Sequence, residues 1–121
     1  MDVIRDLTWV KHLHTAKVVE RLTLGSYRAV SLRFPASEKS SPEQYVYRML
    51  FFPAAGHQPV LALNLELSIL GSSCLTEQAG GRHTRFDTVE ETMGYDDFRR
   101  WALSRAERVL AQTLPAAQAA G

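Results

Sequence analysis

The chain carries a single cysteine, Cys74, so no disulfide can close within it. No basic stretch followed by an apolar one opens the sequence, and the two absences together point to a reducing, cytoplasmic setting. Long hydrophobic runs are missing too: none approaches the roughly 18 residues that a bilayer-spanning helix needs, so no membrane association is expected. Neither sign of charge is in excess. Fourteen Lys plus Arg stand against thirteen Asp plus Glu, a net of +1, which argues against general nucleic-acid binding because that rests on neutralising many phosphates. There is no internal repeat, no phosphate-loop spacing and no G-x-S-x-G elbow, so the best-marked catalytic scaffolds are excluded.

What is present is an ordinary globular composition, with 45% hydrophobic residues in 121, enough for one core. Its clearest pattern is residues 60–67, VLALNLEL, where Leu61, Leu63, Leu65 and Leu67 alternate with Val60, Ala62, Asn64 and Glu66. That period of two calls for a strand with one apolar face. Residues 45–52, YVYRMLFF, are apolar on both sides, with Tyr45, Tyr47, Met49 and Phe51 assigned to one face and Val46, Arg48, Leu50 and Phe52 to the other. The turn-forming PAAGHQP between these stretches predicts that they pair antiparallel.

Upstream, VVERLTL and YRAVSLRF flank Gly25-Ser26, which suits a type II′ hairpin with Leu24 opposite Tyr27 and Leu22 opposite Ala29. Residues 1–17 read as an amphipathic helix, with an extended arm as the competing form, and residues 36–43 as an exposed loop. After Leu70, GSSCLTEQAGGRHT reads as a long loop, residues 82–86 as a short edge strand, and 87–92 as too acidic to extend it. Residues 93–114 form the clearest helix: Phe98, Trp101, Ala102, Ala106, Val109 and Leu110 share a stripe, Gly94 takes the cap position, and Pro115 ends it. The predicted architecture is therefore α+β: a curved antiparallel sheet of four to five strands packed by a C-terminal helix. It forms one domain over residues 1–114, with a disordered tail at 115–121.

Chemistry-bearing residues are sparse. His12 and His14 lack a nearby third ligand, so no metal site is assigned, and no cofactor is called for. Cys74 lacks an adjacent base and reads as a small buried hydrophobe, and Ser72 and Ser73 lack a nucleophile motif. Glu66 can act as an acid or base with His83 or Arg85, against the plainer reading of a solvated carboxylate paired with an arginine. Arg82, His83 and Arg85 after Gly80-Gly81 offer an anion cradle, against the plainer reading of a charged edge strand. Tyr45, Tyr47 and Phe86 with Arg99, Arg100, Arg105 and Arg108 raise base stacking, but such tyrosines more often serve core or interface.

Two functional classes follow. In the first, one helix cannot bury both faces of an apolar strand, so a non-catalytic protein self-associates or meets a protein partner through Tyr45, Tyr47, Met49 and Phe51. In the second, a small-molecule-binding protein or minor enzyme holds a pocket between sheet and helix, lined by Tyr47, Asn64, Glu66 and Trp101.

Overall fold

Glycine turns and a row of leucines set the architecture. The structure, a computed structural model, describes residues 16–34, 44–67, 73–89 and 93–120. Within them six strands follow one another, each antiparallel to the next: β1 (Lys17–Leu24), β2 (Tyr27–Arg33), β3 (Gln44–Pro53), β4 (Leu61–Leu67), β5 (Ser73–Ala79) and β6 (Arg82–Val89). One helix, α1 (Tyr95–Ala120), closes the chain. Spatial order equals chain order, so the sheet is an open meander with β1 and β6 at its edges.

The first hairpin closes as its turn predicts. Gly25 has φ 59°, the following serine stays at negative φ, and the register places Leu24 against Tyr27 and Leu22 against Ala29. β3 and β4 pair as expected, Met49 against Leu63 and Phe51 against Leu61. The run after Leu70 departs from expectation: six strands form rather than four or five, because residues 73–79 make β5 instead of a loop. Glu77, Gln78 and Ala79 have weak strand propensity, but β5 lies between β4 and β6 and hydrogen-bonds to both, and tertiary pairing overrides local preference. β6 likewise continues through Asp87 to Val89. Gly80 and Gly81, at φ 56° and 83°, join the two strands as a two-residue type I′ turn, which demands positive φ at both positions.

Leu61, Leu63 and Leu65 meet α1, which lies over β3 and β4. Gly94 caps the helix, its carbonyl accepting from the Phe98 amide at 3.1 Å, with Asp96 and Asp97 at the positive end of the dipole. Phe98, Ala102, Ala106 and Leu110 form the buried stripe, as their spacing predicts, with Trp101 and Val109 partly buried beside them. Pro115 does not end the helix, which runs to Ala120 where a disordered tail was expected. The alanines and glutamines around the proline are strong helix formers, which offsets part of the cost of its missing N–H and of its ring meeting the preceding turn. The expectations for residues 1–15, including His12 and His14, and for the 36–43 loop lie outside the described residues.

Two polar clamps hold the helix to either side of the strands it covers. At its start, the Tyr95 hydroxyl and Arg99 Nε (2.8 Å) both donate to Glu20 Oε2 on β1. Further along, Arg105 Nε donates to Glu77 Oε1 on β5 at 2.8 Å, its guanidinium 4.8 Å from the Phe86 ring centre. Between the clamps, Tyr47, Tyr95, Phe98, Trp101 and Phe86 form a chain of rings with successive centres 5.3 to 6.5 Å apart.

Two predictions follow from these elements. Gly81→Ala should lower stability by about 1 kcal/mol in urea titration, because the penalty is positive φ alone: nothing lies within 4 Å of an added Cβ. Gly81→Asn, which tolerates that region better, should lose less. Tyr95→Phe should lower stability by about 1 kcal/mol, a fall of roughly 4 °C in melting temperature. Its pH dependence has a defined sign. Burial first, and then the bond to Glu20, push the Tyr95 hydroxyl up to about 12, so its contribution is complete below the ordinary value of 10 and fades as pH rises toward 12. The Tyr95 bond, opposed by burial and assisted by Arg99, holds Glu20 below its ordinary 4.5, so its contribution is complete above that value and fades as pH falls through the lowered one. The wild-type advantage over Tyr95→Phe should therefore be flat between about pH 5 and 10 and shrink on both sides.

Candidate functional site

The face of the sheet away from α1 is built by alternation. The positions between the leucines of β4 are Ala62, Asn64 and Glu66, and the register brings partners beside them: Arg48 opposite Asn64, Asn64 opposite Thr76, Thr76 opposite Arg85. These side chains form one hydrogen-bonded track. Arg48 Nε donates to Asn64 Oδ1 at 2.9 Å, and Arg48 Nη2 to Gln78 Oε1 at 2.6 Å. Asn64 Nδ2 donates to Thr76 Oγ1 at 3.1 Å and to Gln78 Oε1 at 3.2 Å. The Thr76 hydroxyl then donates to Glu66 Oε2, which also receives His83 Nε2 at 2.7 Å.

Every bond from Arg48 to Glu66 runs in one direction, donor to acceptor. A cation stands at one end and a carboxylate at the other, with neutral amide and hydroxyl groups between, an arrangement in which each bond polarises the next. Arg48 is only 1% exposed, and its guanidinium lies 4.2 Å from the centre of the Tyr45 ring. Exposure rises toward the far end, where the Glu66 side chain is 16% exposed and that of His83 44%. Both contacts of Glu66 use Oε2, so Oε1 and His83 Nδ1 have no partner among the described residues. Beside the track on this face, Leu32, Phe34, Tyr45, Leu50 and Ala62 make a second buried cluster.

The residues singled out from sequence are distributed differently from expectation. Tyr47 and Trp101 belong to the helix-side core while Asn64 and Glu66 lie on the opposite face, so these four do not line one pocket. Of Tyr45, Tyr47, Met49 and Phe51, the last three share the helix face, but the register shift at Val46 turns Tyr45 to the other, where it meets Phe34 and Arg48. They are not an exposed patch: Tyr45, Met49 and Phe51 are buried within this one chain and Tyr47 is half-buried. The anion cradle is divided as well. Gly80 and Gly81 are used by the turn, and Arg82 pairs with Ala79 on the helix side while His83 and Arg85 face the track. Glu66 and His83 do meet, as one reading of the sequence proposed, with His83 taking the place given to an arginine in the plainer reading. Arg99 and Arg105 are engaged by Glu20 and Glu77. Cys74 lies opposite Glu66 in the register, half-buried, its thiol 3.6 and 3.8 Å from the Leu75 and Phe86 carbonyl oxygens. Among the described residues no three His, Cys, Asp or Glu converge on a metal position, and no helix is long and apolar enough to cross a membrane.

Arg48, Thr76 and Gln78 were not singled out. The signal for Arg48 was present: it is the one charge in YVYRMLFF, and a lone charge in a two-sided apolar strand must be paired or exposed. Thr76 and Gln78 were hidden by the reading of their segment as loop. No protein-family model, curated protein or solved structure matches the chain. Its fold class is thus defined by its own architecture, an α+β antiparallel meander with a C-terminal helix, and its candidate site by the polar track.

The track makes a quantitative prediction. Asn64→Leu, which removes the oxygen that accepts from the buried Arg48 Nε, should cost about 3 kcal/mol or more, and Arg48→Met somewhat less. The double variant should be more stable than the sum of the two losses implies, by about 1 to 3 kcal/mol, in a double-mutant cycle read by urea denaturation.

Proposed function

We propose that the protein is a binding protein for a small polar molecule, taken up at the Glu66–His83 end of the track. The observation that carries this reading is the track itself, a directed chain of side-chain bonds leading from a wholly buried arginine to a partly exposed carboxylate. A sheet face needed only for stability would be more economically apolar, since buried ionic groups contribute little net stability. Thr76 and His83 fix Glu66 through one oxygen, and the other, which has no partner among the described residues, would accept from a ligand without further ordering. The ligand chemistry this favours is a molecule with hydroxyl or amine donors, with Arg85 nearby in the register for an acidic group. As the one cysteine of the sequence, Cys74 cannot close a disulfide within the chain, which suits a cytoplasmic setting. Self-association through the apolar strand, the other reading of the sequence, has less to support it, because Tyr45, Met49, Leu50 and Phe51 are buried within their own chain while Val46, Tyr47 and Phe52 are partly buried.

Thermal-shift and calorimetric titration against polyols, amines, amino acids and hydroxy acids tests the proposal. A true ligand at a hundred times its Kd should add about 2.7 kcal/mol of stability, and Glu66→Gln should abolish that gain while keeping the wild-type circular dichroism. A panel silent throughout, or a ligand that binds Glu66→Gln undiminished, overturns it.

A further inference from the structure

The β1 edge lies away from the polar track and has a different chemistry. Val18 and Val19 are 46% and 42% exposed, the large apolar side chains most open to water among the described residues. Beside them an open depression of about 480 Å³ is floored by Val30 and Phe52 and flanked by Arg21, Thr23 and Arg28. In a two-residue hairpin the closing pair, Leu24 with Tyr27, exchanges its backbone bonds inward, and Leu22 follows suit. The amide and carbonyl groups of Thr23 and Arg21 consequently point away from the sheet, and no strand pairs with them among the described residues.

Charge on this hairpin is one-sided. Lys17, Arg21, Arg28 and Arg33 face a single acid, Glu20, which is already engaged by Tyr95 and Arg99. Lys17 and Arg33 are direct cross-strand partners, a like-charge pairing that stabilises nothing within the fold, and neither Lys17 nor Arg21 makes an ion pair among the described residues. Arg28 donates to the Gly56 carbonyl at 2.7 Å and lies 5.5 Å from the Phe52 ring centre, which fixes its charge over the depression. We propose that β1 is a docking edge for an extended acidic segment of another protein, which adds as a seventh strand and directs its acidic side chains at Arg21 and Arg28. The mode is strand addition: backbone bonds supply affinity and alternate side chains supply choice. A second copy of this chain is the wrong occupant, because pairing β1 with itself brings two basic hairpins together. A nucleic-acid strand needs an open aromatic face, and that of Phe52 is covered by Arg28. The register shift at Val19 breaks the edge and confines regular pairing to its second half, so the affinity should be moderate.

The test uses the full chain and labelled extended peptides about as long as β1, one alternating valine with glutamate and one valine with lysine, read by fluorescence anisotropy. The glutamate peptide should bind with a micromolar Kd, the lysine peptide at least about tenfold more weakly, and raising salt from about 50 to 300 mM should narrow the gap. Arg21→Glu, an exposed substitution whose fold is checked by circular dichroism, should reverse the preference. Hydrogen exchange should show the Arg21 and Thr23 amides slowing on binding while β6 is unchanged. Equal binding of the two peptides, an unaltered preference in Arg21→Glu, or slowing at β6 instead would each overturn the proposal. So would tighter binding of an oligothymidylate than of the glutamate peptide, or a dimer in light scattering that Arg21→Glu dissolves.

Discussion

A guanidinium withdrawn from water inside a β-sheet sets the terms for the rest of this fold. Arg48 is almost inaccessible, and an unpaired charge there would be prohibitively costly, so its donors must be met. They are met by amide oxygens of Asn64 and Gln78 and by the face of Tyr45. Those amides are useful only if their own polar atoms are occupied, which commits Thr76 and then Glu66. One buried charge thereby constrains the register of β3, β4 and β5 together. A slip of one residue would turn the track into the helix-side core and the leucines of β4 outward.

The opposite face is held by a different logic. There α1 rests on leucines and aromatic rings, a non-directional contact that would by itself allow the helix to slide or rotate. The bonds from Glu20 and Glu77, on strands either side of those the helix covers, supply direction. Both are only partly buried, so their role is to fix position more than to add stability. Ala102 and Ala106, the small residues of the buried stripe, allow close approach to the sheet.

The parts legible in the sequence were those whose signal is local. Gly25 declared its turn and its register, Leu61 to Leu65 declared their face, and the stripe from Phe98 to Leu110 declared the helix. β5 was not legible, because Glu77 and Gln78 become strand residues through partners distant in sequence: Arg105 for one, Arg48 and Asn64 for the other. The misplacement of Tyr45 has a similar origin. Strict alternation from Met49 puts it beside Tyr47, and a single register shift at Val46, invisible in composition, reverses it. Half of the candidate site was in view, since Asn64 and Glu66 stand out in VLALNLEL. The other half required knowing which strands were neighbours.

The two edges of the open sheet show how the chain treats exposed backbone. β6 carries Arg82, His83 and Arg85 in its first half, and it begins at a two-glycine turn. β1 is defended at one point, by the register shift at Val19, and otherwise presents two exposed valines and, in Lys17 and Arg21, cations that make no ion pair among the described residues. Among the described residues the acid on that edge, Glu20, is drawn into a helix clamp, and the others serve elsewhere: Glu77 in the second clamp, Glu66 in the track, Asp96 and Asp97 at the helix start. Among the described residues the basic hairpin is therefore a consequence of where the acids are used, and the charge on β1 that they leave unmatched is the complement the proposed acidic strand would supply.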